Sequence, residues 1–231
     1  MRFKQIIWDW NGTLWDDTWL CVEINNHMLE RRSLPPITID TYRAKLCFPV
    51  TNYYCQLGFD YNTDPYPRLA EEFIEEYHRR RFECELHPEA RELIAFFQGL
   101  DPKRSESAFG IPKEATSGKR QLKQAVLSAY EQKALLEATD YFKLTGFFDD
   151  IIGLNDIYAH GKVENGKQYI EKLDIDPADV LFVGDTIHDF EVAEAMGVNC
   201  ALVANGHNSR ERLEACGVPV LDSLYELKSV T

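Results

Sequence analysis

The chain has 231 residues, of which 45% are hydrophobic and 27% charged, so it can bury a sizeable core as one domain or as a core with an insert. Its net charge of −13 opposes the phosphate backbone, so we expect no nucleic-acid partner. No apolar run approaches the ~18 residues of a membrane span, and the first residues do not resemble a signal peptide. We therefore expect a cytoplasmic protein without membrane contact, as a monomer or homodimer.

The first half of the chain predicts one strand followed by helices. Gln5–Trp8 is typical of a short buried strand, and Asn11-Gly12 breaks it. From 15 to 85 the pattern indicates helices and turns without a buried strand, including an apolar stripe at Leu69, Phe73 and Tyr77. Residues 101–119 are poor in large apolar side chains, which predicts a long mobile loop.

Strand and helix patterns alternate in the second half. We predict strands at 122–127, 150–153, 180–183 and 200–203, and helices at 129–138, 164–173, 190–196 and 209–215. This alternation predicts an α/β fold with a three-layer, Rossmann-like core, in which helices cover both faces of a parallel sheet. Ligands of such folds bind at the carboxyl ends of the strands, so the polar residues there are the candidate functional residues.

Carboxylates, hydroxyls and a lysine occupy these positions. Carboxylates suit a hard cation such as Mg²⁺, whereas lysine and hydroxyl groups suit phosphate oxygens. The residues are Asp9, Thr13, Ser128, Lys162, Asp185 and Asp189.

The same residues resemble the four motifs of the haloacid dehalogenase superfamily, in the same order. Residues 9–14 are similar to the D-x-D-G-T-[LV] motif, and residues 184–189 to the G-D-x-x-x-D motif. Ser128 resembles the Ser/Thr of the second motif, and Lys162 resembles the lysine of the third better than Lys167 does. The spacing is similar to the phosphoglycolate-phosphatase-like branch. That branch implies a core of residues 1–14 and 86–231 and a helical cap domain of residues 15–85.

The resemblance implies Mg²⁺-dependent hydrolysis of a small phosphorylated metabolite through an aspartyl-phosphate. Asp9 would be the nucleophile, and Lys162 would neutralise both Asp9 and the phosphate. The implied phosphate-binding residues are Gly12, Thr13, Ser128 and Lys162, and the implied metal ligands are Asp9, Asp185, Asp189 and Asn11 through its backbone carbonyl.

Asn11 is the departure from the family pattern, because the family's phosphatases usually carry an acid/base aspartate there. An amide cannot exchange a proton near neutral pH. Three alternatives follow: a slow phosphatase in which His188 or a cap residue substitutes, a phosphonate hydrolase of the phosphonoacetaldehyde hydrolase type, or a binding or regulatory protein. The second would need a cap lysine for a Schiff base, and Lys45 is the single candidate in 15–85.

Two further segments are predicted to border the site. Residues 46–50 resemble the cap loop that meets the core in related enzymes, which suggests a role in substrate selection. His207 and Asn208 follow the strand at 200–203 and are candidates for the rim.

Overall fold

The computed structural model describes residues 2–100, 122–155 and 161–230. The loop predicted at 101–119 therefore lies outside the described residues. No helix of the described ranges is both long and apolar enough to cross a membrane.

In the described ranges, six parallel strands form one sheet, and the first strand lies near its centre. The strands are β1 Gln5–Trp8, β2 Lys123–Glu131, β3 Asp150–Leu154, β4 Val180–Gly184, β5 Asn199–Val203 and β6 Val220–Leu221. Their order is β3-β2-β1-β4-β5-β6. The predicted α/β fold is confirmed, with the strand that precedes Asp9 between β2 and β4.

The helices fall into two runs along the chain. The first run is α1 Thr18–Glu30, α2 Ile39–Lys45, α3 Val50–Leu57 and α4 Tyr66–Arg80, with no named strand between residues 15 and 85. The second run is α5 Ala90–Phe97, α6 Gln132–Tyr141, α7 Lys162–Lys172, α8 Ile187–Met196, α9 Arg210–Glu214 and α10 Leu227–Val230.

Side chains alternate between the two faces of the sheet, as the two-residue period of a strand requires. In β1, Ile6 and Trp8 pack into one buried cluster, whereas Ile7 packs into the other. The cluster of Ile6 also contains Leu20 and Ile24 of α1, so the first run of helices shares a core with one face of the sheet. Helices α7 and α8 contribute to the cluster on the opposite face.

The predicted end of the second strand is wrong. We expected the strand to end before Ser128 and a helix to begin at residue 129, but β2 continues to Glu131. The pairing of β2 with β3 shifts register between Leu127 and Glu131. Helix α6 begins only where the Glu131 side chain accepts hydrogen bonds from the N–H groups of Lys133 and Ala134, so the cap fixes the boundary.

Candidate active site

Adjacent parallel strands bring the first and last acidic motifs together. Trp8 lies opposite Val183 in the register of β1 and β4, and the Asp9 N–H continues the ladder by donating to the Val183 carbonyl at 2.8 Å. Asp9 directly follows β1 and Asp185 directly follows β4, so the two residues lie side by side at the same edge of the sheet. Their carboxylate oxygens and that of Asp189 lie within 4.8 Å of one another, and all three residues are buried.

Lys162 joins two of these carboxylates. It is the first residue of α7, directly after Gly161, whose φ of 101° suits glycine. Its Nζ lies 2.5 Å from Oδ1 of both Asp9 and Asp189. Burial alone would lower the pKa of Lys162, but the two carboxylates outweigh it and raise the pKa, so the ammonium stays charged. Lys167 is exposed on the same helix, outside this cluster.

The charges of the cluster are suited to a divalent cation. Three carboxylates surround one ammonium group in a buried space, which leaves two negative charges without a partner in the cluster. A divalent cation would balance them, and carboxylate oxygens are the ligands of hard cations such as Mg²⁺. The residues present therefore fit a metal ion.

Asp189 accepts hydrogen bonds from four donors. Its Oδ2 accepts from the N–H groups of Asp185 and Thr186 and from the Thr186 hydroxyl, at 3.1, 2.9 and 2.6 Å, and Oδ1 accepts from Lys162. Three of these four bonds fall on Oδ2 and one on Oδ1, so Oδ1 keeps one free lone-pair position. Asp9 and Asp185 accept fewer hydrogen bonds than Asp189, so a cation in this cluster would find most of its free oxygen positions on these two residues.

Burial shifts the acidity of both candidate ligands. It raises the pKa of Asp9 well above its usual value; Lys162 opposes this effect, and the charges of Asp189 and Asp185 add to it. Burial also raises the pKa of Asp185 to about 6, although the His207 side chain and backbone N–H and the Thr13 hydroxyl favour its charged form. A divalent cation bound between these two carboxyl groups would favour their charged forms.

Asn11 belongs to a second buried network beside the first. Its Nδ2 donates to Asp17 Oδ2 and to the Tyr77 hydroxyl, each at 2.8 Å. Asp17 also accepts from the Tyr77 hydroxyl at 2.6 Å and from the Gly12 N–H at 2.9 Å. His207 Nε2 completes the network at 3.2 Å from Asp17 Oδ1. Hydrogen bonds to other side chains thus fix the position of the Asn11 amide.

The pKa values of His207 and Asp17 in this network are shifted so that both side chains are charged. Burial would lower the pKa of His207, but attraction to Asp17, with Asp185 and Asp9 contributing, raises it to about 9. Burial opposes the charge of Asp17, yet His207, Tyr77 and Asn11 hold its pKa below the usual value. At neutral pH the pair is therefore an imidazolium beside a carboxylate.

The other predicted phosphate-binding residues have different surroundings. The Thr13 hydroxyl donates to Asp185 Oδ1 at 2.7 Å, so it supports a candidate ligand. Gly12 has a φ of 74°, and a Cβ there would collide with the Asp185 carboxylate. Ser128 is buried in the wall of the cavity described next, where its hydroxyl accepts from the Tyr130 N–H at 3.1 Å.

A cavity of about 220 Å³ opens onto these networks. Asp9, Lys162 and Asp189 line one end, and α1 to α4 and their loops supply most of the remaining wall. From the predicted cap loop, Leu46, Phe48 and Val50 reach the cavity. His188 also lines it and stacks on Phe48 with ring centroids 4.7 Å apart.

Sequence reasoning missed Asp17, Tyr77 and Thr186 as parts of the site. Asp17 stands directly before α1, where an aspartate is expected to cap the helix, but its side chain makes no capping bond. Tyr77 was assigned to an apolar stripe of α4, yet its hydroxyl reaches Asp17. His207, a predicted candidate for the rim, lines the cavity and is buried between Asp17 and Tyr42.

Comparison with known proteins defines the class of this protein. The family model of the haloacid dehalogenase-like hydrolases matches residues 3–197, and the chain belongs to that family. It is thus a hydrolase of the class that its motifs indicated.

Two curated phosphatases and one solved structure are similar to the chain. The chain is 25% identical over 208 residues to the N-acetylmuramic acid 6-phosphate phosphatase of Pseudomonas putida, covering 90% of this chain and 85% of that protein. It is 30% identical over 108 residues to phosphoglycolate phosphatase 1 of Pseudomonas aeruginosa, covering 46% of this chain and 40% of that protein. A haloacid dehalogenase-like hydrolase from Streptococcus pneumoniae shares the fold, with a TM-score of 0.75, 15% identity, and coverage of 99% of this chain and 98% of that one.

Proposed function

We propose that this chain is a Mg²⁺-dependent phosphatase that hydrolyses a small phosphomonoester through an aspartyl-phosphate on Asp9. The observation that carries the proposal is the buried cluster in which Asp9 pairs with Lys162, lies within 4.8 Å of Asp185 and Asp189, and lines a cavity. The relatives support it, because both curated proteins that match are named phosphatases.

In this mechanism Asp9 attacks phosphorus, the bond from phosphorus to the alcohol oxygen breaks, and water then hydrolyses the aspartyl-phosphate. A bound divalent cation supplies positive charge that offsets the repulsion between the carboxylate and the phosphate. Lys162 contributes a second positive charge at Asp9 Oδ1, 2.5 Å away. Asp189 holds Lys162 from the other side and so fixes the position of its ammonium group.

Asn11 acts as a positioning residue. Its amide bonds to Asp17 and Tyr77 and has no acidic proton to give. A positioned acid/base typically contributes about 10²–10⁴-fold, so we expect slow turnover of esters whose alcohol needs a proton to leave.

Helices α1 to α4 are proposed to form the cap of residues 15–85. They supply most of the cavity wall, and their apolar side chains exclude water from the aspartyl-phosphate until hydrolysis. The loop of residues 46–50 belongs to this wall, which supports its proposed role in substrate selection.

The phosphonate-hydrolase alternative is not favoured by the position of Lys45. Its Nζ donates to the Gln56 carbonyl at 3.2 Å, and Lys45 is not part of the described cavity wall. A Schiff-base lysine would have to reach the bound carbonyl compound. The third alternative, a binding or regulatory protein without catalysis, does not account for the negative charge of the buried carboxylate cluster.

Phosphate release from a panel of esters, with and without Mg²⁺, tests the proposal. We expect Mg²⁺-dependent release by the wild type, loss of at least about 10³-fold in Asp9→Asn, and no loss in the matched control Asp140→Asn on the distant end of α6. Turnover that survives Asp9→Asn, or that needs Lys45 and a phosphonate aldehyde, would contradict it.

A further inference from the structure

The wall of the cavity away from Asp9 is aromatic and apolar. Five tyrosines of residues 15–85 line it together with Leu46, Phe73 and Ile74, and Tyr130 of β2 lines the same cavity. The tyrosines are Tyr42, Tyr53, Tyr54, Tyr66 and Tyr77. A dry apolar cavity of about 150 Å³ can hold one benzene molecule, so this space has room for a ring.

The same wall carries no positive charge to receive an anion. Among the described residues of the cap, Asp17 is the one charged side chain in the cavity wall. The positive groups at the core end are engaged, Lys162 by Asp9 and Asp189, and His207 by Asp17. A carboxylate on the alcohol part of the substrate would therefore be buried beside Asp17 without a counter-charge, which is strongly unfavourable.

Two buried polar atoms in this wall have no hydrogen-bond partner among the described residues. They are the Tyr53 hydroxyl and Asn25 Oδ1, whereas Asn25 Nδ2 donates to the Cys21 carbonyl at 2.7 Å. Each side chain is 1% exposed. Since an unpaired buried polar group costs free energy, a neutral polar group on the bound molecule that reached them would recover it.

Asn11 supplies an independent argument. With no acidic proton at this position, hydrolysis is fastest for an alcohol that leaves as a stable oxyanion. Phenols leave in this way, whereas aliphatic alcohols need protonation.

From these observations we infer that the cavity binds an uncharged, ring-bearing leaving group of a phosphomonoester, with one neutral polar substituent on the ring, and disfavours leaving groups that carry a carboxylate. The inference rests on the proposed phosphatase function. It concerns the alcohol part of the substrate, whereas the proposed function concerns the phosphoryl group.

Three esters that share one ring test this inference: phenyl phosphate, 4-(hydroxymethyl)phenyl phosphate and 4-carboxyphenyl phosphate. Phenyl phosphate and 4-(hydroxymethyl)phenyl phosphate carry no charge on the leaving group. We expect the wild-type kcat/KM for each of them to exceed that for 4-carboxyphenyl phosphate by at least about tenfold. The aliphatic carboxylate 2-phosphoglycolate should be slower than phenyl phosphate.

Two variants assign the selectivity to the cavity wall. Ile74→Lys places a cation in the cavity and should move the preference toward 4-carboxyphenyl phosphate by at least about tenfold. Its matched control, Leu136→Lys, adds the same charge at a residue that is 43% exposed on α6 and should leave the preference unchanged. Tyr53→Phe should lower the ratio of kcat/KM for the hydroxymethyl ester to kcat/KM for phenyl phosphate by about two- to tenfold.

Calorimetric binding of benzylphosphonate and 4-carboxybenzylphosphonate separates this inference from the proposed function, because neither compound is hydrolysed. If no ester is hydrolysed but benzylphosphonate binds more tightly than 4-carboxybenzylphosphonate, the proposed phosphatase function is overturned and the inferred selectivity of the cavity is supported. Turnover with equal or better use of the carboxylate esters would overturn the inference and leave the phosphatase standing. Equal binding of the two phosphonates without turnover would overturn both.

Discussion

At the scale of single residues, the hydrogen bond from Asn11 to Asp17 explains why an amide suits position 11. The Asn11 amide donates to Asp17 Oδ2 at 2.8 Å, and Asp17 is 1% exposed. The amide therefore matches a buried carboxylate that also pairs with His207. An aspartate at position 11 would set two carboxylates against each other, and one of them would take up a proton.

This pairing predicts the behaviour of Asn11→Asp. The single variant should lose about 1–3 kcal/mol of unfolding free energy and gain little activity at pH 7, because a donor is replaced by a second acceptor. Adding Asp17→Asn exchanges the amide and the carboxylate between the two positions and should raise turnover of alkyl phosphates at least about tenfold over the single variant. Steady-state kinetics and urea unfolding measure both effects, with Asp17→Asn alone as the control. A fast and fully stable Asn11→Asp protein would show that Asp17 does not constrain position 11.

The site could be predicted from the sequence only in part, and particular residues show why. Asp9, Lys162 and Asp185 could be found, because polar residues at the ends of neighbouring parallel strands must converge. Asp17 could not be found, because its position before a helix is equally typical of a cap, and only the tertiary structure turns its side chain toward Gly12. Asp189 was expected near the metal and lies in the acidic cluster, but the donors to its carboxylate depend on how Lys162 and Thr186 pack.

At the scale of elements, strand–helix alternation predicted the sheet well and its boundaries less well. Strands β3, β4 and β5 lie within one residue of the predicted ranges at each end. The register shift in β2 and the two-residue strand β6 leave no periodic signal and were missed. Helix α1 shows a further limit. Trp19 has the helical spacing of an apolar stripe with Trp15 but is 38% exposed, whereas Leu20, Ile24 and Met28 form the buried face.

The junction of β4 and α8 shows how one element serves both fold and site. Thr186 caps α8 by accepting from the Asp189 N–H at 3.2 Å, and the Asp189 side chain accepts from the Thr186 N–H in return. The same Asp189 carboxylate holds Lys162 at the start of α7. Helix capping therefore fixes the positions of two site residues.

At the scale of the whole molecule, the unbalanced cluster links stability to pH and to metal. Without a cation, the raised pKa values of Asp185, about 6, and of Asp9 mean that the folded protein holds protons more tightly than the unfolded chain. Their contribution to stability is thus present at low pH and lost as the pH rises through the folded pKa. A bound cation favours the ionised carboxylates and should reverse this loss.

We therefore expect Mg²⁺ to stabilise the protein in a pH-dependent way. At a Mg²⁺ concentration about 100 times Kd, the melting temperature at pH 7.5 should rise by about 5–10 °C relative to EDTA. At pH 5 the rise should nearly vanish, because protons compete with the cation for Asp185. Scanning calorimetry of the wild type and of Asp185→Asn measures this. An equal shift at both pH values, or an undiminished shift in the variant, would contradict the assignment of the cluster.

The most direct test of Asp9 as the nucleophile is fluorine NMR of the protein with beryllium fluoride, which mimics a phosphoryl group on an aspartate. With Mg²⁺ present, the wild type should give a bound trifluoroberyllate signal that disappears in EDTA and is missing from a folded Asp9→Asn protein. A bound signal that persists unchanged in Asp9→Asn, or none in the wild type with saturating Mg²⁺, would contradict a phosphoryl-accepting role for Asp9.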